Sequence, residues 1–148
     1  MPPTVAGILE LLSEQKISLE GKHVVFVGRG TLVGKPGGVV FGNLGASVST
    51  IDENTEAEIY YGQLKNADII VSGVGKPNLI TADRVGEGQV LIDAGYGKNS
   101  QGETTGDMDF ESVSKKASYI TPVPGGIGPL TVSKLFENLL YVAKQKRR

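Results

Sequence analysis

The sequence predicts an α/β fold, in which one domain carries a doubly wound parallel sheet with helices on both faces. Apolar runs alternate with helical segments along all 148 residues, a length typical of a single domain. The first run, residues 23–28, is apolar almost throughout, as expected for a strand buried on both faces of a parallel sheet. A glycine-rich turn follows at once, and short right-handed crossovers between successive strands complete this architecture.

Local patterns justify each element in chain order. Apolar residues recur on one side of a helix over about residues 4–15. Pro36 stands in the first turn of a second helix, over about residues 35–43, where its missing N–H costs nothing. Thr81 is the expected N-cap of a short helix. Further strands are predicted over residues 46–52, 68–75, 89–95 and 117–123, further helices over 55–67, 81–88 and 129–144, and an irregular hairpin-like stretch over 96–107.

The composition excludes several classes of protein. A net charge of −1 creates no field that would attract nucleic acid or a membrane surface. Cysteine is absent, which excludes disulfides and cysteine-bound metals. The single histidine, His23, opens an apolar strand, where we expect a structural role. The stretch "MPPTVAGILELL" is not typical of a signal peptide, and no apolar run is long enough to span a membrane. We therefore expect a cytoplasmic protein without a metal, a nucleic acid or a membrane as partner.

The stretch "GRGTLVGKP" after the first strand is similar to two kinds of nucleotide-binding loop. A triphosphate loop needs a glycine five residues before its second glycine and a hydroxyl residue after its lysine, but Arg29 and Pro36 occupy these positions. A dinucleotide turn needs three glycines, which Gly28, Gly30 and Gly34 supply with one extra residue. They would allow, in order, the tight turn, a close approach to pyrophosphate and close helix packing. A plain glycine-rich turn is the alternative.

Two further patterns concern the second strand and the helix after it. Asp52 lies 24 residues beyond Gly28, close to the spacing of the acidic residue that accepts a hydrogen bond from a cofactor ribose. The alternative is that Asp52 and Glu53 are two solvated charges at a strand end. Tyr61 and Lys65 have the Y-x-x-x-K spacing of short-chain dehydrogenases. We interpret this match as chance, because the catalytic pair of those enzymes belongs on a later helix.

Five segments resemble the cofactor domain of the methylenetetrahydrofolate dehydrogenase/cyclohydrolase family: "GRGTLVGKP", "ADIIVSGVGKPNLITADRV", "VLIDAGYG", "TGDMDFESV" and "ITPVPGGIGPLTVSKLFENLL". The resemblance covers nearly the whole chain, and residues 121–131 are its most specific part, since two proline-glycine clusters beside a helix start are rare by chance. It implies a Rossmann-like domain of an enzyme that oxidises 5,10-methylenetetrahydrofolate by hydride transfer to NAD or NADP. Such an enzyme often also hydrolyses the methenyl product to 10-formyltetrahydrofolate.

The resemblance also implies roles for residues of this chain. The family's catalytic tyrosine and lysine lie in an N-terminal domain that is absent here, so we expect no catalytic residue in this chain and folate binding only with that domain. Residues 29 and 30 would lie at the pyrophosphate or ribose end, residues 72–75 along the cofactor, and residues 95 and 96 beside the nicotinamide. With the glycine turn and Asp52, the expected cofactor-binding residues are Gly28, Arg29, Gly30, Gly34, Asp52, Ser72, Gly73, Val74, Gly75, Gly95 and Tyr96. The residues expected to border the folate cleft are Pro124, Gly125, Gly126 and Thr131.

The chain departs from the family pattern at the cofactor site. Gly30 replaces the serine that usually follows Gly-Arg, and Tyr96 replaces a small aliphatic residue, so its ring would either stack on the nicotinamide or fill part of that pocket. Residues 52–55, Asp-Glu-Asn-Thr, replace a His-Ser-Arg-Thr-like stretch that grips a 2′-phosphate. Two carboxylates in place of a cationic clamp disfavour NADP, and we therefore expect NAD.

Three functions stay open on the sequence alone. The chain is the cofactor half of the folate dehydrogenase, cut from or paired with its catalytic half; or a stand-alone NAD- or nucleotide-binding module without catalysis; or a remnant that binds a partner. The opening "MPP" favours an excised domain or a split enzyme. Little or no dehydrogenase activity is expected of the chain alone, since the sequence offers no general acid or base clearly placed in a cleft. Asp93 ends the fourth strand near the predicted site, but capping of the following turn accounts for an aspartate there at least as well.

The first and last helices would bridge to the missing domain, and part of their apolar surface would then be exposed. A homodimer is also expected, because the family tends to dimerise. The apolar faces concerned are Ile8, Leu9 and Leu12 on the first helix, and Leu135, Phe136, Leu139 and Leu140 on the last.

Overall fold

A computed structural model of the chain describes residues 1–146. Its strands are β1 (His23–Val27), β2 (Ser47–Ile51), β3 (Ile69–Ser72), β4 (Val90–Asp93), β5 (Gly97–Lys98), β6 (Thr104–Thr105) and β7 (Tyr119–Ile120). Five of them form one parallel sheet in the order β2–β1–β3–β4–β7, and β5 and β6 pair as an antiparallel hairpin. The strand order reverses beside β1, so the carboxyl ends of β1 and β3 flank a switch point of the kind at which doubly wound sheets bind ligands.

The helices cover both faces of this sheet. They are α1 (Pro3–Glu14), α2 (Gly34–Asn43), α3 (Ala57–Asn66), α4 (Phe110–Val113) and α5 (Ile127–Lys146), with a 3₁₀ turn at Ala82–Arg84. On one face Phe26 of β1 packs with Phe41 of α2 at a ring-centroid distance of 5.2 Å, beside residues of α1 and α5. On the other face Val25 packs with Leu64 of α3 and Val113 of α4. Successive residues of β1 thus pack into hydrophobic cores on opposite faces of the sheet, as expected for the predicted doubly wound fold.

The boundaries of several elements differ from the sequence-based expectation. β7 has two residues instead of the seven of residues 117–123, and the four-residue helix α4 was not expected. The helix expected over residues 81–88 is only a 3₁₀ turn. Thr81 does precede it, but the Thr81 hydroxyl donates to the Asp83 carboxylate at 2.5 Å and caps no backbone N–H. The Gly86 N–H instead donates to the Gln89 side chain, which draws the chain out of helical conformation.

His23 has the structural surroundings expected of it. Its ring nitrogens lie 3.1 Å from the Ser49 hydroxyl on β2 and 3.4 Å from the Asn66 carbonyl at the end of α3. Within residues 1–146, no helix is long and apolar enough to cross a membrane. The same residues bring together no group of three or more histidine or acidic side chains that could hold a metal ion.

Candidate functional site

A groove of about 560 Å³ opens at the carboxyl ends of β1, β2 and β3. Its walls come from the turn after β1, the turn after β2, one side of α3 and the loop after β3. We call it the turn groove. Of the expected cofactor-binding residues it is lined by Gly28, Arg29, Gly30, Asp52, Gly73 and Val74, and it also includes Glu53, Asn54, Thr55, Tyr60, Tyr61, Lys76, Leu79 and Arg84.

The three glycines of the turn differ in what requires them. Gly28 has φ +100°, a left-handed conformation that favours glycine, and its N–H donates to the Ile51 carbonyl at 2.8 Å. A Cβ on Gly34 would collide with the Gly28 carbonyl oxygen, so this glycine lets α2 start against the turn. A Cβ on Gly30 would meet nothing within 4 Å. The fold therefore needs Gly28 and Gly34, whereas Gly30 leaves open space toward the groove.

Arg29 and Asp52 form an ion pair at the mouth of the turn groove. The Arg29 Nε donates to Asp52 Oδ2 at 2.5 Å, and an Nη donates to the Thr50 carbonyl at 3.1 Å. The other Asp52 oxygen accepts the Asn54 N–H at 2.9 Å. The Asn54 N–H, together with the guanidinium, holds the pKa of the Asp52 carboxyl below its usual range. The sequence patterns indicated separate roles for Arg29 and Asp52, whereas in the structure their side chains form one ion pair.

The remaining cations of the turn groove are also engaged. Lys76 Nζ lies 3.0 Å from a Glu53 oxygen in an exposed ion pair. Arg84 donates to the Leu79 carbonyl at 2.6 Å, and its guanidinium lies over the Tyr61 ring, 5.2 Å from the centroid. Tyr61 therefore contributes a ring face to the groove wall.

A second cavity of about 330 Å³, which we call the cleft cavity, lies at the carboxyl ends of β4 and β7. The expected residues that line it are Gly95, Tyr96, Pro124, Gly125, Gly126 and Thr131. Tyr96 stands at its rim with 71% of its surface exposed. The Val123–Pro124 peptide is cis, and the Thr131 hydroxyl lies 3.2 Å from that of Thr4 on α1. The structure thus groups the residues expected near the nicotinamide with those expected at the folate cleft.

Three expected cofactor residues, Gly34, Ser72 and Gly75, line neither cavity. Ser72 and Gly75 instead bind a residue that sequence reasoning missed. Asp107 is fully buried. It accepts hydrogen bonds from the Ser72 hydroxyl at 2.5 Å and from the N–H groups of Val74, Gly75 and Lys76 at 2.8–3.0 Å. Asp107 lies within the segment "TGDMDFESV", but nothing in the local pattern indicates that it reaches the loop after β3.

Asp93 caps the turn after β4, as expected. Its carboxylate accepts the N–H groups of Gly95 at 2.9 Å, Asp107 at 3.1 Å and Met108 at 2.9 Å. Burial raises the pKa of Asp93 to about 6, against the opposing effect of these N–H groups. Asp93 also borders the cleft cavity, but its oxygens are committed to the backbone.

Comparison with known proteins identifies the family. Residues 2–147 match the family described as tetrahydrofolate dehydrogenase/cyclohydrolase, NAD(P)-binding domain. The bifunctional protein FolD of Nautilia profundicola is 47% identical over 143 residues, which are 97% of this chain and 50% of that protein. The chain therefore spans about half the length of the curated relatives it matches.

Solved structures agree over the same region. The bifunctional FolD methylenetetrahydrofolate dehydrogenase/cyclohydrolase of Campylobacter jejuni has a TM-score of 0.94 at 41% identity, over 99% of this chain and 51% of that chain. The Trypanosoma brucei enzyme, solved with NADP cofactor and inhibitor, has a TM-score of 0.92 at 34% identity, over 100% of this chain and 52% of that chain. The resemblance inferred from the five sequence segments is confirmed: the chain belongs to the tetrahydrofolate dehydrogenase/cyclohydrolase family, as its NAD(P)-binding domain.

Proposed function

We propose that this chain supplies the nicotinamide dinucleotide site of a methylenetetrahydrofolate dehydrogenase/cyclohydrolase whose other half carries the folate chemistry. One observation carries the proposal: the turn groove and the cleft cavity lie along the same carboxyl edge of the sheet, on the two sides of the loop after β3. We expect one dinucleotide to occupy both. Its adenosine would lie in the turn groove beside Asp52, and its nicotinamide near Gly95 and Tyr96.

The residues of the turn groove fit such a ligand. Open space above Gly30 admits a pyrophosphate close to the backbone, and the N-terminus of α2 begins directly behind it at Gly34. Tyr60, Tyr61 and Leu79 provide apolar surface for a purine ring. The bound nicotinamide would accept the hydride from the methylene carbon of the folate, while this chain binds and orients the ring.

The charges around the turn groove favour NAD over NADP. Arg29 is the cation best placed to meet a 2′-phosphate, but Asp52 already accepts its Nε–H. Glu53 adds a second carboxylate and pairs with Lys76. A 2′-phosphate would have to displace these carboxylates or lie against them. The T. brucei relative was solved with NADP, so NADP use occurs in the family, and the preference we propose arises from residues 52 and 53 of this chain.

Calorimetric titration of the chain with NAD and with NADP tests the proposal. NAD should bind more tightly, because its ribose presents neutral hydroxyls to the Arg29–Asp52 pair. Equal or tighter binding of NADP would contradict the argument from Asp52, and no binding of either cofactor would contradict the proposed function itself.

We also propose that the chain alone has no dehydrogenase activity. The carboxylate that lines the cleft cavity, Asp93, is committed to three backbone N–H groups and is not available as a general base. An assay of NADH formation from 5,10-methylenetetrahydrofolate should show turnover only when the other half of the enzyme is supplied; turnover by the chain alone would contradict this. The homodimer and the cytoplasmic location stay predictions, the former testable by light scattering.

The second candidate, a stand-alone binding module, is disfavoured by α5. Large apolar side chains of this helix remain at least half exposed, including Leu135, Phe136, Leu139 and Leu140. The corresponding face of α1 is covered within the chain, where Ile8 and Leu12 are buried. We propose that the other half of the enzyme covers the exposed face of α5.

A further inference from the structure

Asp107 is a buried aspartate whose two side-chain oxygens accept hydrogen bonds from the end of β3 and from the loop after it. Within residues 1–146 it forms no salt bridge, and its surface exposure is 0%. One oxygen accepts the Ser72 hydroxyl at 2.5 Å and the Val74 N–H at 2.8 Å. The other accepts the N–H groups of Gly75 at 2.8 Å and Lys76 at 3.0 Å. The loop therefore curls around the carboxylate as backbone nests curl around a bound anion.

The loop formed by residues 73–76 separates the two cavities. On one side, a Cβ added to Gly28 would lie 3.1 Å from the Val74 side chain, so this loop packs directly on the dinucleotide turn. On the other side, a Cβ added to Gly75 would lie 3.2 Å from the carbonyl oxygen of Tyr96, at the rim of the cleft cavity. The position of this loop therefore sets the distance between the two ends of the proposed cofactor site.

Asp107 is itself held in place from β4. Asp93 accepts the backbone N–H groups of Asp107 and Met108. A Cβ on Gly95 would collide with the Asp107 carboxylate, and a Cβ on Gly106 with the Asp93 carboxylate. Each carboxylate thus lies directly against a glycine, Asp107 against Gly95 and Asp93 against Gly106, where no larger residue fits.

We propose that Asp107 is a positioning residue for the dinucleotide. Its carboxylate holds loop 73–76 in one conformation before the cofactor arrives, and so fixes the separation of the turn groove and the cleft cavity. This inference rests on the proposed function of these cavities. A loop ordered in advance spares the cofactor the entropy cost of ordering it. Loss of Asp107 should weaken NAD, which would contact both sides of the loop, more than AMP, which would occupy the turn groove alone.

The variant Asp107→Asn tests the proposal. An asparagine presents one NH₂ group in place of an oxygen, and in either orientation at least one backbone N–H of the loop then faces a donor. We expect a folded variant that binds NAD about tenfold more weakly or worse, since a lost charged hydrogen bond has about this effect, and a smaller loss for AMP. Affinities are measured by calorimetry and folding by circular dichroism. Asp109→Asn is the matched control, because the Asp109 carboxylate accepts no hydrogen bond among the described residues; it should bind NAD as the unmodified chain does.

Two binding outcomes would overturn the proposal. The first is a folded Asp107→Asn variant with unchanged affinity for NAD. The second is an equal loss of affinity for NAD and for AMP, which would mean that the loop does not fix the separation of the turn groove and the cleft cavity. If Asp107→Asn does not fold, amide hydrogen exchange in the unmodified chain tests whether loop 73–76 is held in one conformation. The amides of residues 74–76 should exchange as slowly as those of β3, and exchange at the rate of an open loop would overturn the proposal. If the unmodified chain binds neither NAD nor AMP, the proposed function fails, while hydrogen exchange still reports whether Asp107 holds the loop.

Discussion

The carboxyl edge of the sheet and the outer face of α5 differ in how their side chains are satisfied. At the sheet edge, the buried polar groups find partners inside the chain: Asp93 and Asp107 together accept seven hydrogen bonds. On α5, seven large apolar residues remain at least half exposed. They are Val132, Leu135, Phe136, Leu139, Leu140, Tyr141 and Val142.

This difference indicates which step the chain can carry out alone, cofactor binding, and which step needs the other half of the enzyme, the folate reaction. A site whose buried polar groups are paired internally has its shape before a ligand arrives, so we expect cofactor binding to need no other part of the enzyme. Large apolar side chains exposed together on one helix mark a surface that another part of a protein covers. We therefore expect the chain to bind the dinucleotide by itself and to leave the folate reaction to the half that covers α5.

Replacing one buried phenylalanine of the core and one exposed phenylalanine of α5 has the largest expected effect. Phe41 on α2 is fully buried against Phe26 of β1, whereas Phe136 on α5 is 61% exposed. Phe41→Ala should lower the free energy of unfolding by about 3–5 kcal/mol, because it removes a buried ring and leaves a cavity. Phe136→Ala should change it by about 0.5 kcal/mol or less. Urea titration measures both, and a similar loss in the two variants would show that the outer face of α5 is not a free surface.

The buried carboxylate of Asp93 at the sheet edge makes stability depend on pH. The pKa of Asp93 is about 6 in the folded chain, against the ordinary 3.8. The folded state thus binds the proton more tightly, so the contribution of Asp93 is fully present below about pH 4 and is lost as the pH rises through 6. The loss amounts to about 3 kcal/mol.

Asp93→Asn isolates this contribution, since the variant cannot titrate at position 93. The difference in unfolding free energy between the unmodified chain and Asp93→Asn should change by that amount between pH 4 and pH 7, measured by urea titration at each pH. Asp52 and Asp83 have lowered pKa values and act in the opposite direction, below about pH 4. A difference that stays constant with pH would mean that Asp93 titrates normally.

Releasing Arg29 from its partner has a smaller effect, confined to cofactor choice. In Asp52→Ala the guanidinium becomes free to bind a 2′-phosphate, so the ratio of NADP to NAD affinity should rise about tenfold. Glu56→Ala removes the same charge nearby without altering the lining of the turn groove, and should leave the ratio unchanged. Competition titration gives both ratios, and an unchanged ratio in Asp52→Ala would assign the preference to other residues.

The parts of the fold that could be predicted from the sequence are those governed by local patterns. The apolar run of β1 and the glycines at 28 and 34 indicate a buried strand and a tight turn, and the structure contains both. Long-range contacts had no such signal. Asp107 reaches Ser72 across 35 residues of sequence, and Arg29 reaches Asp52 across 23. A carboxylate that follows a hairpin has no spacing rule that would connect it to a loop after another strand.

The measurement that most directly tests the difference between the two regions is equilibrium dialysis of the chain alone against NAD. We predict saturable binding of one NAD per chain, without any other part of the enzyme, because the buried carboxylates at the carboxyl edge of the sheet, Asp93 and Asp107, have their hydrogen-bond partners inside the chain. Binding that appears only after the other half is supplied, or no saturable binding at all, would contradict a cofactor site that is complete within this chain.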